Sequence, residues 1–346
     1  MPRKCLGAVN RRLIVCLGVV VIGSEVACRL LLGLGDPPLV IRDDNCGYRF
    51  APSQAVRRFG NRVTYDEASS RGQMPVPTRD DAWTTLVVGD SVIDGLALTD
   101  DSDTVTGLLN DAAIDYAGHR LVFRTVAAGS WGTPQQLGYL NAYGMLGAKA
   151  AVLVLNSGDT VTPIVRTDPV YPTRKPWTAL EDLVMRYCLR CRTHLLDGVH
   201  LGSQSLAAEV PAEIAGLADA AAAGRWCLAE ILRLGRDQRI PMAVLVWPGR
   251  EEAAHGAWGL EVDGIREVAA LAGVPLISLI DKVRERPGFE RHLYRDGIHP
   301  SETGNRLIAG AILELSQILC DRQSRPGVHS PTPTSYGSQT DGQAGR

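Results

Sequence analysis

The stretch Thr85-Leu86-Val87-Val88-Gly89-Asp90-Ser91 decides how the chain is to be read. A short, continuous apolar run closed by glycine is the pattern of a parallel strand buried on both faces. Working outward, comparable runs recur at Leu121–Val126, Ala150–Leu155, Met242–Trp247 and Val274–Leu279. Helix-length segments lie between them at 103–113, 134–146, 212–235 and 263–272, and Ser301–Leu319 reads as a closing helix. Strands alternating with helices predict an α/β domain over 83–320 with a mostly parallel five-stranded sheet. The connection from Asp159 to about Pro211 is too long for a simple turn. It predicts a cap-like insertion over 160–210 with a helical piece near Leu180–Leu196.

The flanks read differently. Leu13–Gly35 is apolar except for Glu25 and Arg29, and it follows Arg3, Lys4, Arg11 and Arg12. About 20 residues at ~1.5 Å each span a bilayer core. The basic flank predicts a cytoplasmic N-terminus with the domain on the extracytoplasmic side. Leu13–Ser24 alone would also serve as the apolar core of a cleaved signal. Glu25 and Arg29, one helical turn apart, can pair on one face. Residues 36–82 are rich in Pro, Arg, Asp and Asn and predict a linker and irregular lead-in. From Asp321 to 346 the chain lacks apolar periodicity and predicts a disordered tail.

Composition excludes some classes. The 346-residue chain has a formal net charge of −2 and only 5% aromatic residues, which argues against a nucleic-acid binder. Its 45% hydrophobic content is that of a globular chain, and eight cysteines over this length are not a disulfide scaffold. Cys188-Leu-Arg-Cys191 has ligand-like spacing but no second pair beside it, so a local disulfide or two packed thiols is expected, with no metal and no cofactor.

Four blocks carry possible chemistry. Ser91 follows the first strand on a tight glycine turn, where ligands gather in open α/β sheets and a nucleophile is well placed. An ordinary turn and helix cap would use the same residues. Asp296-Gly-Ile-His299-Pro300 precedes the closing helix. A serine nucleophile needs an imidazole to take its proton and a carboxylate to orient the ring, and this spacing can supply both. Ala127-Ala-Gly129-Ser-Trp131-Gly132 follows the second strand, where glycine backbone N–H groups can approach an oxyanion. Leu155-Asn156-Ser-Gly158-Asp159 follows the third, where the Asn156 side chain could donate. Trp131 and Trp247, near strand ends, could form sugar platforms or pack in the core.

Together these blocks resemble the SGNH (GDSL-type) hydrolases over about residues 83–320. The resemblance implies a flavodoxin-like three-layer α/β/α sandwich. It implies Ser91 as nucleophile, His299 as base and Asp296 as its orienting acid. The second glycine of the family's second block falls on Gly132, which is then expected to join the Ser91 N–H in the oxyanion hole. Two departures stand out: Ala127 occupies the place of the family's asparagine, and Gly158 the place of its oxyanion asparagine, so Asn156 is the candidate replacement. Asp90, Trp131 and Trp247 are candidate substrate contacts. The anchor and linker also resemble membrane-tethered members, some of which modify acyl groups on polysaccharides. The expectation is an esterase or O-acyltransferase, acting on an acylated small molecule or polysaccharide. The alternatives are a lipase or acyl-thioesterase of the same fold, and a catalytically impaired binding protein.

Overall fold

Six of the seven residues of Trp83–Gly89 are buried, as a run apolar on both faces requires. The computed structural model describes residues 3–72, 82–166, 171–188, 220–284, 288 and 290–324. In chain order the elements are α1 (Arg3–Leu32), β1 (Val40–Asp43), β2 (Gly47–Phe50), β3 (Gln54–Arg58), β4 (Asn61–Tyr65), β5 (Trp83–Gly89), α2 (Ser91–Asp94) and α3 (Val105–Asp111). There follow β6 (Asp115–Tyr116), β7 (His119–Ala127), α4 (Thr133–Tyr143), β8 (Ala150–Leu155), α5 (Ala179–Leu183), α6 (Ala220–Asp237) and β9 (Met242–Val246). The chain continues with α7 (Arg250–His255), α8 (Leu260–Ala272), β10 (Leu276–Ser278), α9 (Leu279–Arg284), α10 (Glu290–Leu293) and α11 (Glu302–Ser324).

The main sheet runs β10-β9-β8-β5-β7-β6. Five of its strands are those expected from sequence and are mutually parallel. Numbered along the chain, they lie in the order 2-1-3-4-5, the flavodoxin-like winding. The sheet has six strands rather than five, because Asp115–Tyr116 folds back antiparallel on His119–Arg120 at the edge. Two residues are too few to show a period in sequence. Alternate residues of β5 feed opposite cores. Leu86 and Val88 pack with Leu140, Leu228 and Ile265 of α4, α6 and α8; Val87 packs with Leu109, Ile312 and Leu315 of α3 and α11. That places helices on both faces and makes three layers.

The expected linker over 36–82 needs correction. Residues 40–65 form two hairpins, β1–β2 and β3–β4, and their Val40, Tyr48, Phe50, Val63 and Tyr65 belong to the α4-side core. Phe50 stacks on Tyr65 with ring centroids 4.1 Å apart. The β3–β4 turn uses Phe59 and Gly60, both at positive φ (52° and 84°), the geometry that matches the twist of a two-residue hairpin. Strands of four or five residues with arginines between the apolar positions give too few repeats for periodicity to be read.

The closing helix α11 runs to Ser324, four residues into the segment expected to be tail; the rest of that tail lies outside the described residues. Of the 160–210 insertion, 167–170 and 189–210 lie outside the described residues, as does Cys191. The described part contains α5 and, directly after it, a π-helical turn at Val184–Cys188; the rest of the helical piece expected near Leu180–Leu196 lies outside the described residues. Within α1, Leu13–Leu32 has a mean hydropathy of 2.1 and is long and apolar enough to cross a membrane; an anchor and a signal sequence both meet that description.

Candidate active site

Winding order places the site. The winding reverses between the parallel strands β5 and β8, and Ser91 and Asn156 follow the carboxyl ends of those two strands. The turn into Ser91 demands glycine at 89, since a Cβ there would lie 2.8 Å from Ile93 Cγ1. Asp90 caps α2 by accepting the Val92 N–H at 2.9 Å, and Gly95 ends this single turn at φ 77°. Ser91 is thereby held at the mouth of the site. Among the described residues, its N–H has no hydrogen-bond partner.

The loop before α11 supplies the other two groups. Asp296 Oδ1 accepts the backbone N–H groups of Ile298 (2.9 Å) and His299 (2.8 Å), folding the loop back on itself. Its Oδ2 lies 2.7 Å from His299 Nδ1, and His299 Nε2 lies 2.9 Å from Ser91 Oγ. Burial raises the Asp296 carboxyl, but the two N–H donors and the imidazole outweigh it and hold the pKa below the usual carboxylate range. Trp247 Nε1 donates to the Ile298 carbonyl at 2.8 Å, and Arg250 N–H donates to Gly297 at 2.8 Å, so β9 and α7 brace the loop. The Asp296 side chain is 54% exposed and that of His299 21%, so the site opens to solvent.

The remaining candidates are placed otherwise than expected. Asn156 Nδ2 donates to Asp90 Oδ2 at 3.0 Å and to Asp159 Oδ1 at 2.9 Å, which uses both of its protons on carboxylates. Its Oδ1 accepts the Gly158 N–H at 2.7 Å. Asn156 is thus a bridge between two buried acids rather than a free donor. The Gly132 N–H is also engaged: Gln135 Oε1 accepts it at 3.0 Å in a capping arrangement at the start of α4. Gly132 followed three residues later by glutamine was the available signal for this. Trp131 and Trp247 are buried and present no face to a sugar. Trp131 Nε1 donates to the Tyr48 carbonyl at 3.1 Å, and the Tyr48 hydroxyl donates to the Gly129 carbonyl. The hairpin β1–β2 therefore supports the 127–132 loop. Asp90 is buried as a cap rather than offered to a substrate.

Asp159 was not singled out in sequence. It accepts the Asn156 backbone N–H at 3.0 Å as well as the side chain. Burial pushes Asp90 up to about 6, against the pull of the Val92 N–H and the His299 charge. Burial, then repulsion from Asp90, pushes Asp159 well above the usual carboxylate range. A cavity of about 1030 Å³ lies elsewhere, among Leu232, Met242, Val274, Leu319 and Arg322, and includes none of these residues.

No family model matches the chain, and no curated protein matches its sequence. The solved structures similar to it include the lipase/acylhydrolase of Enterococcus faecalis, with TM-score 0.41 and 14% identity over 69% of this chain and 96% of that one. They also include a two-domain esterase, CEX, active on acetylated mannans (TM-score 0.44, 10% identity, 73% of this chain and 53% of that one). A third is the acetyl xylan esterase AlAXEase (TM-score 0.40, 12% identity, 67% of this chain and 98% of that one).

Proposed function

We propose that the chain is a serine esterase or O-acyltransferase, held at a membrane by α1, that works through Ser91, His299 and Asp296. One observation carries the reading: an unbroken chain of contacts from Asp296 Oδ2 through the imidazole to Ser91 Oγ, at 2.7 Å and 2.9 Å. His299 Nε2 takes the Ser91 proton as Oγ attacks the ester carbonyl. Asp296 keeps the Nδ1 proton in place and stabilises the imidazolium. The tetrahedral intermediate places its oxyanion on the unpartnered Ser91 N–H. Its collapse breaks the ester C–O bond, and His299 returns the proton to the leaving alcohol. Water or an acceptor hydroxyl, deprotonated by His299, then releases the acyl group from Ser91.

The open, polar mouth of the site fits an ester of a polar alcohol. The carbohydrate class rests on the resemblance of the anchor-plus-domain layout to membrane-tethered members, with the domain on the extracytoplasmic side. Turnover of p-nitrophenyl acetate by the full chain, with Ser91→Ala as control, tests the reading. Activity is expected in the parent and absent from the variant; equal activity in both sinks the assignment.

A second reading, a chain that keeps the fold but turns over poorly, is favoured by the engagement of Asn156 and Gly132. Loss of one oxyanion donor costs about 10²–10³ in rate, and Gly132 contributes only where Gln135 releases it. A fluorophosphonate adduct on Ser91 in the parent chain favours the enzyme; an unlabelled Ser91 favours the binding protein.

A further inference from the structure

The last two turns of α1 are not a free tether. Glu25 lies inside the apolar run, yet its Oε1 accepts the Ala179 N–H at 2.9 Å and its Oε2 the Leu180 N–H at 3.0 Å. Arg29 pairs with Glu25 at 2.6 Å and reaches the Trp177 carbonyl at 3.4 Å. Cys28 and Leu34 pack on Ala179, with Phe59, Leu180, Leu183 and Tyr187 around them. Just beyond the helix, the Gly35 N–H donates to Asp182 of α5 at 2.8 Å. The N-terminal end of α5 is therefore clamped alongside α1 at the level of Glu25.

Helix arithmetic turns this into a position. Leu13–Ser24 is about 18 Å of helix at ~1.5 Å per residue, too short for a hydrocarbon core of ~30 Å. Leu13–Leu32, at 20 residues, is long enough. Past Glu25 the helix remains two-faced: Glu25, Cys28 and Arg29 meet α5, while Val26, Leu30 and Leu31 stay exposed. If those leucines meet lipid, the α5 level lies about 10 Å below the end of the span by the same rise. That is the depth at which amphipathic segments rest at a membrane surface. The segment around α5 has the composition for it. Trp177 is 80% exposed, Met185 62%, and Val184 is exposed beside them. Arg174 and Lys175 precede Trp177, with largely exposed side chains suited to headgroups.

We propose that the shoulder formed by Trp177, α5, Val184 and Met185 beside Glu25 of α1 is seated in the interfacial layer of the bilayer that α1 crosses. The proposal rests on the reading of α1 as a membrane anchor. Its consequence is a fixed orientation: the domain stands on the membrane through two contacts instead of hanging from a linker. Six residues before Trp177, the Tyr171 hydroxyl accepts the Ala97 N–H at 2.7 Å in the loop after α2. Shoulder and site are thus joined through one short stretch of chain.

The test uses the full chain reconstituted in vesicles of phosphatidylcholine and phosphatidylglycerol, with part of the phosphatidylcholine brominated near the headgroup end of its acyl chains. Bromine quenches tryptophan on contact. Of the other five tryptophans, Trp83, Trp131 and Trp247 are buried in the domain and Trp226 and Trp258 are partly buried against its core, so Trp177 is the exposed indole. The parent chain is expected to co-float with the vesicles and to lose emission to brominated lipid. Trp177→Phe should co-float equally and show a quenched fraction smaller by about twofold or more. Met185→Trp in the Trp177→Phe background should restore the quenching. Co-flotation with no quenching in the parent, or equal quenching in parent and Trp177→Phe, overturns the shoulder while leaving the anchor standing. A chain that does not co-float overturns the anchor reading, and the proposal with it.

Discussion

His299 Nε2 lies 2.9 Å from Ser91 Oγ although 208 positions separate the two residues. The contact joins a turn after β5 to a loop before α11, so it exists only when the sheet is complete. Replacing His299 by alanine removes the only imidazole in contact with Ser91 among the described residues. If the proposed mechanism holds, a fall of about 10⁶ in kcat is expected. Asp296→Asn keeps the loop's shape but offers an amide to Nδ1; a loss of about 10²–10³ is expected, smaller because water reaches the half-exposed carboxylate. Steady-state turnover of a soluble ester measures both, and an Asp296→Asn enzyme with full kcat would remove Asp296 from the mechanism.

Asp90 and Asp159 give the fold an unusual dependence on pH. Their unfolded values lie near 3.8, whereas burial raises Asp90 to about 6 and Asp159 well above its usual range. The folded chain therefore binds protons that the unfolded chain has released. Stability from this pair is present below about pH 4 and is lost as pH rises above it, through about 6 for Asp90 and on through the raised Asp159 value. Denaturant midpoints between pH 4.5 and 8 should fall as pH increases. In Asp159→Asn the slope should shrink, because the carboxyl that burial and Asp90 raise well above its usual range no longer titrates. An unchanged slope in that variant would contradict the assignment.

Trp247 acts on the site without touching a substrate. Its indole N–H holds the Ile298 carbonyl at 2.8 Å, next to His299, and its ring packs on Tyr294 with centroids 4.9 Å apart. Trp247→Phe should keep most of the packing and lose the hydrogen bond, at a cost of about 1–2 kcal/mol of stability. Because the loop is then less firmly aimed at Ser91, kcat is expected to fall roughly tenfold with KM little changed. Kinetics well below the variant's unfolding temperature separate the two effects. An unaltered kcat there would show that Asp296 and Arg250 position the loop unaided.

The buried pair Arg58–Asp182 ties the second hairpin to α5, with Nη1 and Oδ2 2.8 Å apart. Asp182 also accepts the Gly35 N–H where α1 meets the domain. Asp182→Ala strands the arginine, and a loss of about 3–5 kcal/mol is expected. The double variant Arg58→Met, Asp182→Leu should recover part of it, since Arg58 is no longer a stranded charge, although the Gly35 N–H and Arg186 still lose their acceptor. Chemical denaturation of the three proteins checks the order. A single variant as stable as the parent would mean that water reaches Arg58.

Much of this molecule was written locally. Five strands, their order along the chain, the apolar helix and the Ser91, Asp296 and His299 blocks could all be read, because each depends on side-chain period or on spacing within a few residues. What only the tertiary structure decided depends on partners remote in sequence. Trp131 and Trp247 look the same in sequence whether they face a sugar or a core. The arginine-interrupted strands of 40–65 show their pairing only once Tyr48 and Phe50 are buried. Asn156 could have donated to an oxyanion, but Asp90, 66 positions away, takes its proton. Glu25 reads as a costly charge in a membrane span until the Ala179 N–H, 154 positions away, is found beside it. A hydrogen bond is a choice among whatever donors and acceptors the fold brings within about 3 Å, and that neighbourhood is a property of the folded chain rather than of any stretch of it.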